Sequence, residues 1–64
     1  MAESWMTEKE VAKLLNVSLA CLRRWRLEGR GPKFRKFGSL VRYRGEDVEA
    51  WTSEQPVGGG AGHR

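Results

Sequence analysis

The side chains best suited to chemistry in this sequence are three closely spaced arginines, Arg23, Arg24 and Arg26. Each guanidinium is permanently charged and presents a planar fork of N–H donors, which matches a phosphate group or the two acceptor atoms of a guanine edge. On a helix, Arg23 and Arg24 would share an outward face with the pair Leu19-Ala20, four residues earlier. This spacing predicts base contacts from Arg23 and Arg24, and it places Arg26 further round the helix, nearer to a phosphate backbone.

The positive charge is concentrated in one third of the chain. Residues 23–44 carry nine basic residues and a single acid, Glu28, for a net charge of +8, whereas residues 1–22 carry −1 and residues 45–64 carry −3. The whole chain carries only +4. A solvated surface normally mixes the two signs, so this concentration favours a polyanionic partner such as nucleic acid.

The other reactive residue types do not form a catalytic or metal-binding pattern. The single histidine, His63, lies in a glycine-rich segment, where no base is held against a nucleophile. Cys21 lies on or beside the apolar stripe of a predicted helix, which is typical of a small buried thiol. Glu46, Asp47 and Glu49 suit the first turn and the solvated face of a helix better than a metal site, because the helix dipole favours carboxylates in the first turn. We therefore expect a non-enzymatic protein with no cofactor and no metal.

Local signals define the first of the helices that must position the arginines. Thr7 and Glu10 have the spacing of a capping box, and Asn16 suits the left-handed residue that ends a helix. An apolar stripe at helical spacing lies between these signals and is expected to face the core. The stripe comprises Val11, Ala12, Leu14 and Leu15.

The second helix carries the arginines. It is predicted from Ser18 as N-cap to about Glu28, and Gly29 ends it. Leu22 and Trp25 form its core stripe. Its outward face is expected to comprise Leu19, Ala20, Arg23, Arg24 and Leu27. Only residues 16–18 separate the two helices, and this spacing predicts a helix-turn-helix.

A β-hairpin follows the helices. Strands predicted over residues 34–37 and 40–44 are joined by Gly38-Ser39, which suits a two-residue turn with glycine first. The side chains expected to pack on the helices are Phe37, Val41 and Tyr43, and those expected in solvent are Lys33, Arg35, Lys36 and Arg42. The pattern does not assign Phe34 to either face of the hairpin, because Phe34 is out of phase with Phe37. In a hairpin that projects from the domain as a wing, basic residues suit contacts to phosphate or to the minor groove. They also have a structural role, because charged residues protect a sheet edge from aggregation.

A last helix is predicted from about residues 44–45 onward, with Val48 and Trp51 as its core contacts. Trp5, before the first helix, is expected to cover the open edge of the core. Residues 56–64 show no periodicity and are expected to be a disordered glycine-rich tail.

Together these elements predict one domain over residues 1–55, of the α+β class and mostly α, with the architecture of a small winged helix-turn-helix. In such a fold the second helix enters the major groove of duplex DNA. The recognition-helix residues expected to contact DNA are Ser18, Leu19, Ala20, Arg23, Arg24 and Arg26. Those expected from the wing and its flanks are Arg30, Lys33, Arg35, Lys36, Ser39 and Arg42. Neutralising about five to eight phosphates would make the affinity fall steeply with salt.

Length and composition restrict the setting of this domain. A chain of 64 residues has room for one thin core, and the single cysteine, Cys21, excludes an intramolecular disulfide. No apolar run is long enough for a membrane span, and the acidic start of the sequence does not suit a signal peptide. We therefore expect a soluble cytoplasmic protein in a reducing compartment.

Several segments, in order, resemble one known family. They are the run from Met6 to Ser18, Leu22-Arg23-Arg24-Trp25-Arg26, Gly29, Gly31-Pro32-Lys33-Phe34, Gly38, Val41-Arg42-Tyr43 and Asp47-Val48-Glu49-Ala50-Trp51. The chain resembles, over residues 5–53, the MerR-like winged helix-turn-helix domains of excisionases and of AlpA-type phage regulators. Excisionases are recombination directionality factors.

The resemblance implies a nucleoid-associated bacterial or phage protein with its second helix in the major groove and its wing in an adjacent minor groove. By position, it assigns helix contacts to Arg23 and Arg24 and wing contacts to Lys36 and Arg42. Relatives usually have a hydroxyl residue where this chain has Cys21, so a phosphate hydrogen bond is lost there. Full MerR regulators carry a long dimerisation helix and an effector domain, and the lack of both in this sequence favours a small architectural or regulatory factor.

Four functions stay open at this point. An excisionase would bind attachment-site DNA in tandem copies, bend it and direct an integrase, whereas an AlpA-like regulator would bind a promoter. A packaging module is a third, since phage terminase small subunits resemble this fold at their N-termini. A protein-binding adaptor is a fourth, with Leu19 and Leu27 as its contact patch. The expected partners are double-stranded DNA, an integrase and further copies of the chain on DNA; we expect a monomer in solution and no membrane association.

Overall fold

The computed structural model describes residues 5–56, which contain three strands and three helices. The strands are β1 (Trp5–Thr7), β2 (Arg35–Phe37) and β3 (Leu40–Arg44), and the helices are α1 (Glu8–Leu15), α2 (Leu19–Leu27) and α3 (Gly45–Glu54). This arrangement confirms the predicted α+β winged helix-turn-helix. Apart from Pro56, the predicted tail lies outside the described residues. None of the helices within residues 5–56 is long and apolar enough to cross a membrane.

The helix-turn-helix forms from short-range caps, as predicted. Thr7 Oγ1 accepts a hydrogen bond from the Glu10 N–H at 3.1 Å, and Glu10 Oε1 accepts one from the Thr7 N–H at 2.8 Å. Two N–H groups that the helix itself leaves unpaired are thereby satisfied. Asn16 ends α1 in the left-handed conformation, with φ 58° and ψ 44°. Ser18 Oγ then accepts from the Cys21 N–H at 3.0 Å and begins α2.

The three strands form one antiparallel sheet in the order β1-β3-β2. The turn between β2 and β3 has Gly38 at φ 67°, and Ser39 has no positive φ, as expected for a two-residue turn with glycine first. We call β2, this turn and β3 the wing. The sequence pattern does not predict β1, because β1 has only three residues and exists through its pairing with β3, at the other end of the domain.

The core lies between the helices and one face of the sheet. Its buried residues are Val11, Ala12, Leu22, Val41, Tyr43 and Val48. The prediction that Leu14 belongs to the core is wrong, since its side chain is 62% exposed. A helix turns about 100° per residue, so Leu14 lies roughly 160° round α1 from the buried Ala12.

Two aromatic residues lie on the face of the sheet opposite the core. Phe37 pairs with Leu40, and Trp5 pairs with Arg44; both partners alternate with buried residues of β3, so their side chains point away from the helices. The Trp5 and Phe37 rings meet edge to face, with centroids 5.3 Å apart, and both residues remain exposed. The predictions that Phe37 packs on the helices and that Trp5 covers the core edge are therefore wrong.

A tryptophan pair joins α2 to α3. The rings of Trp25 and Trp51 lie 5.3 Å apart between centroids, with planes tilted by 44°, and Val48 of α3 is fully buried in the core. The loop after α2 approaches this pair closely at Gly31, where an added Cβ would lie 3.2 Å from the Cβ of Trp25. The loop can turn back against Trp25 because residue 31 has no side chain.

Candidate nucleic-acid interface

The exposed face of α2 consists of Ala20, Arg23, Arg24 and Leu27. These residues have the spacing i, i+3, i+4 and i+7, so they form one stripe along the helix, which we call the α2 stripe. Leu27 is 86% exposed. Guanidinium groups can bind phosphate or guanine, and an apolar side chain can contact the methyl group of thymine. The α2 stripe therefore has the chemistry of a surface that enters a major groove.

Two other residues predicted to contact DNA lie differently. Leu19 is half-buried and packs against the core, so the prediction that it lies on the outward face is wrong. The reason is helical spacing, since Leu19 precedes the buried Leu22 by three residues and shares its face. Ser18 Oγ caps α2 by accepting a hydrogen bond from the N–H of the half-buried Cys21. This leaves the hydroxyl proton of Ser18 available to an acceptor.

Glu8, the first residue of α1, binds two of the three arginines. Arg23 donates from Nε to Glu8 Oε1 at 3.3 Å and from Nη2 to Oε2 at 3.0 Å, and Arg26 donates from Nη1 to Oε1 at 3.1 Å. Sequence reasoning misses Glu8 because its partners lie 15 and 18 residues away. The packing of α1 against α2 brings them together, and no local pattern predicts the pairing.

These contacts shift the pKa values of the groups involved. The hydrogen bond from Arg23 is the largest cause, and with that from Arg26 it lowers the pKa of Glu8 below 4.5, although burial opposes the change. The hydrogen bond to Glu8 also raises the pKa of Arg23. Burial alone would lower the pKa of Arg26, but interactions with Tyr43 and Glu8 outweigh it and raise that pKa. The carboxylate and both guanidinium groups are therefore charged at neutral pH.

Arg26 is held in place more firmly than Arg23. Its side chain is 19% exposed, against 52% for Arg23, and its guanidinium carbon lies 5.6 Å from the centroid of the Phe34 ring, within the range of a cation–π contact. Phe34, whose face the sequence leaves open, also lies 6.1 Å from Tyr43 between ring centroids. Arg26 thus connects α1 and α2 to the residue just before the wing. Its contact with phosphate stays a prediction.

The basic residues of the wing are divided between its two faces. Arg35 and Arg42 are direct cross-strand partners, so their side chains lie on the same face, the one away from the core. Lys36 pairs with the buried Val41 and lies on the opposite face, and Ser39 is exposed in the turn. A wing that lies in a groove of duplex DNA would therefore present cations to the phosphate backbones on both sides of that groove.

A family model described as a helix-turn-helix domain matches residues 5–56, the whole of the described part of the chain. The chain belongs to this helix-turn-helix family. No match was found among curated proteins. In a helix-turn-helix domain the second helix enters the major groove, so family membership supports DNA as the partner of the α2 stripe.

This helix-turn-helix domain leaves part of its positive charge without a counter-ion. Arg30 pairs with Glu28 at 2.8 Å, and Arg44 pairs with Glu46. Among the described residues, the basic side chains of the predicted interface that form no ion pair or hydrogen bond are Arg24, Lys33, Arg35 and Lys36. These four can bind a phosphate without first breaking an internal contact.

A groove of the helix-turn-helix domain runs from the end of α2 to the wing and α3. The basic residues that line it are Arg26, Arg30, Lys33, Arg35 and Arg44, and the one acid is Asp47. Such an excess of one sign in a concave surface raises the local concentration of anions. The groove therefore suits a phosphate backbone. Within residues 5–56, no cluster of three histidine, cysteine, aspartate or glutamate residues is placed to hold a metal ion.

Proposed function

We propose that this chain is a non-catalytic, sequence-specific binder of duplex DNA and that it acts as an excisionase. The observation that carries the DNA-binding part is the α2 stripe, in which Arg23 and Arg24 lie beside the apolar Ala20 and Leu27 on one exposed helix face. A surface used only for solubility would mix both charge signs, whereas this stripe combines guanine-binding and thymine-binding side chains.

The wing supports the same proposal through the phosphate backbone. Within residues 5–56, Arg35 and Lys36 of the wing and Lys33 just before it have no counter-ion. Arg35 also faces the like-charged Arg42 across the strand pair. A bound phosphate relieves that repulsion. The protein cations in turn displace counter-ions from the DNA, which makes binding strongly dependent on salt. In this proposal α2 supplies specificity, and the wing supplies most of the affinity.

The excisionase role is supported by the resemblance of residues 5–53 to excisionase domains. In this role the chain is a soluble monomer that assembles in copies on attachment-site DNA, bends it and contacts an integrase. The same resemblance extends to AlpA-like regulators, which would use the same side chains at a promoter. The DNA target and the geometry of the complex separate these two functions.

The adaptor alternative has less support than DNA binding. It depends on a patch formed by Leu19 and Leu27, but Leu19 packs against the core and leaves Leu27 as the exposed leucine of α2. One exposed leucine beside two arginines is a small apolar surface for a protein partner.

Selection of bound duplexes from a random library tests sequence-specific binding. We expect enrichment of a short site that contains guanine and thymine within one major groove, with affinity that falls steeply between low and physiological salt. Failure to enrich any sequence would contradict specificity, and salt-insensitive or undetectable binding would contradict the whole proposal.

Bending and copy number on the selected site then test the excisionase role. Permuted fragments that carry one, two or three adjacent sites are compared by gel mobility. Cooperative occupancy of adjacent sites with a measurable bend supports an excisionase. Independent occupancy of one site on unbent DNA contradicts it and favours the regulator.

A further inference from the structure

Arg23 and Arg24 are adjacent on the α2 stripe, but their surroundings differ. Arg23 is bound to Glu8 through Nε and one proton of Nη2, whereas Arg24 forms no ion pair or hydrogen bond through its side chain within residues 5–56. The Arg23 guanidinium therefore has an internal partner before any ligand binds, and the Arg24 guanidinium has none among the described residues. This difference gives the two arginines different uses.

The contact with Glu8 leaves the outer edge of the Arg23 guanidinium free. A guanidinium has five N–H donors, and Glu8 uses the one on Nε and one on Nη2. Both donors on Nη1 and the second donor on Nη2 remain. One Nη1 donor and the remaining Nη2 donor lie together on the end edge of the group, which can pair with O6 and N7 of guanine. The carboxylate thus occupies the side of the group and not its end.

Exposure shows which side of the pair faces solvent. The Arg23 side chain is 52% exposed and the Glu8 side chain 22%, so the carboxylate lies on the inner side and the guanidinium on the outer side. An acid placed outside the arginine would compete with DNA for it. An acid placed inside holds it while the outer edge stays available.

Glu8 is itself held firmly enough to orient another side chain. It is the first residue of α1, where the helix dipole favours a carboxylate. Its Oε1 also accepts from Arg26, and Arg26 in turn lies over the Phe34 ring. This chain of contacts joins Glu8 to both helices and to the residue just before the wing.

We propose that Glu8 is a positioning residue that orients Arg23 for guanine, and that Arg24 binds the phosphate backbone. The proposal rests on the DNA-binding function proposed above and deepens it by assigning different roles to the two arginines. An orientation fixed in advance reduces the entropy lost when a specific contact forms. A cation that no internal contact orients, such as Arg24, suits a phosphate, whose position relative to the protein depends less on sequence.

The test uses the selected duplex and the same duplex with 7-deazaguanine at one guanine at a time, because this base lacks the N7 acceptor. For the unaltered protein, we expect one position at which the replacement lowers affinity about tenfold. Glu8→Gln should reduce that discrimination to about twofold or less and leave affinity for a random duplex equal or slightly higher. Glu28→Gln is the matched control, since it removes the same charge beside Arg30 and should keep full discrimination.

Two further variants keep the test decisive if Glu8→Gln weakens the fold. Arg23→Lys retains a positive charge beside Glu8 but lacks the planar fork, so discrimination at the same guanine should decrease with an unchanged salt dependence. Arg24→Lys should keep the discrimination. Circular dichroism at the temperature of the binding assay shows that each variant is folded.

Three outcomes would overturn the inference. If Glu8→Gln raises affinity for the selected and random duplexes alike, Glu8 competes with DNA. If discrimination is unchanged, Glu8 only joins the two helices. If the sensitive guanine is lost in Arg24→Lys and kept in Arg23→Lys, the two roles are reversed. Absence of duplex binding by the unaltered protein would instead contradict the proposed function itself.

Discussion

Arg35 and Arg42 are direct partners across β2 and β3, so two positive side chains lie next to each other on the outer face of the wing. Like charges that face each other in a strand pair destabilise it. Arg42 donates from Nη1 to the carbonyl oxygen of Val41 at 2.8 Å, which does not remove the repulsion. Such a pair costs stability in the free protein and gains a counter-charge when a phosphate binds.

Arg35→Thr is expected to stabilise the free protein by about 0.5 kcal/mol while it weakens duplex binding, because it removes the repulsion and one cation together. The salt dependence should decrease by about 0.9 in the slope of log affinity against log salt. Urea unfolding and binding titrations at several salt concentrations measure the two effects. Lys33→Thr is the control, with the loss in binding but no gain in stability. A loss of stability in Arg35→Thr would show that repulsion between Arg35 and Arg42 does not destabilise the strand pair.

The double variant Arg23→Ala, Arg24→Ala is expected to lower affinity for the selected duplex by about 10- to 100-fold and to relax its sequence preference. It removes both guanidinium groups of the α2 stripe. Lys9→Ala, Lys13→Ala removes the same charge from α1 and is the matched control. Gel-shift titrations of both variants against selected and random duplexes make the comparison. Equal effects of the two double variants would mean that only net charge matters.

The stability of the domain is expected to fall as the pH decreases below about 4.5. Hydrogen bonds from Arg23 and Arg26 lower the pKa of Glu8 in the folded state relative to the ordinary value of 4.5. The stabilisation is therefore fully present above that value and is lost as the pH falls through the lower folded-state pKa. Urea unfolding followed by tryptophan fluorescence between pH 3 and 7 measures this loss.

Glu8→Gln lacks the titrating group and should reduce the loss of stability at acidic pH. Arg23→Gln should reduce this loss as well, because it removes the largest cause of the lowered pKa of Glu8. An unchanged pH profile in both variants would show that the Glu8 contacts add nothing to stability.

Gly31→Ala is expected to destabilise the fold by about 1–3 kcal/mol, because an L-residue is strained at positive φ. Gly31 has φ 85°, and the new Cβ would also meet the Cβ of Trp25 at 3.2 Å. Gly29→Ala is the matched control: Gly29 has φ 74°, but no atom lies within 4 Å of the added Cβ. In thermal unfolding, Gly31→Ala should have a lower melting temperature than Gly29→Ala. Equal melting temperatures would mean that the loop moves away from Trp25 without cost.

The sequence by itself determined the helix-turn-helix and the turn of the wing. The reason is that these features depend on residues close together in the chain. Thr7 and Glu10 cap α1 across three residues, and Ser18 caps α2 in the same way. The turn of the wing depends on the positive φ of the single residue Gly38. Interactions this short depend on residue type and spacing, which a sequence shows directly. The concentration of bases in residues 23–44 is equally a property of the sequence, and it indicated the class of partner.

Only the tertiary structure decided how the elements face one another. β1 exists because β3 pairs with it. The pairings of β1 and β2 with β3 turn Trp5 and Phe37 to the outer face of the sheet, where periodicity alone does not place them. Glu8 reaches Arg23 and Arg26 across the contact between two helices. Such contacts depend on the angle and register at which elements pack, and these are set by the whole core at once. The sequence therefore identifies the arginines of α2, and the fold determines which of them is held in place.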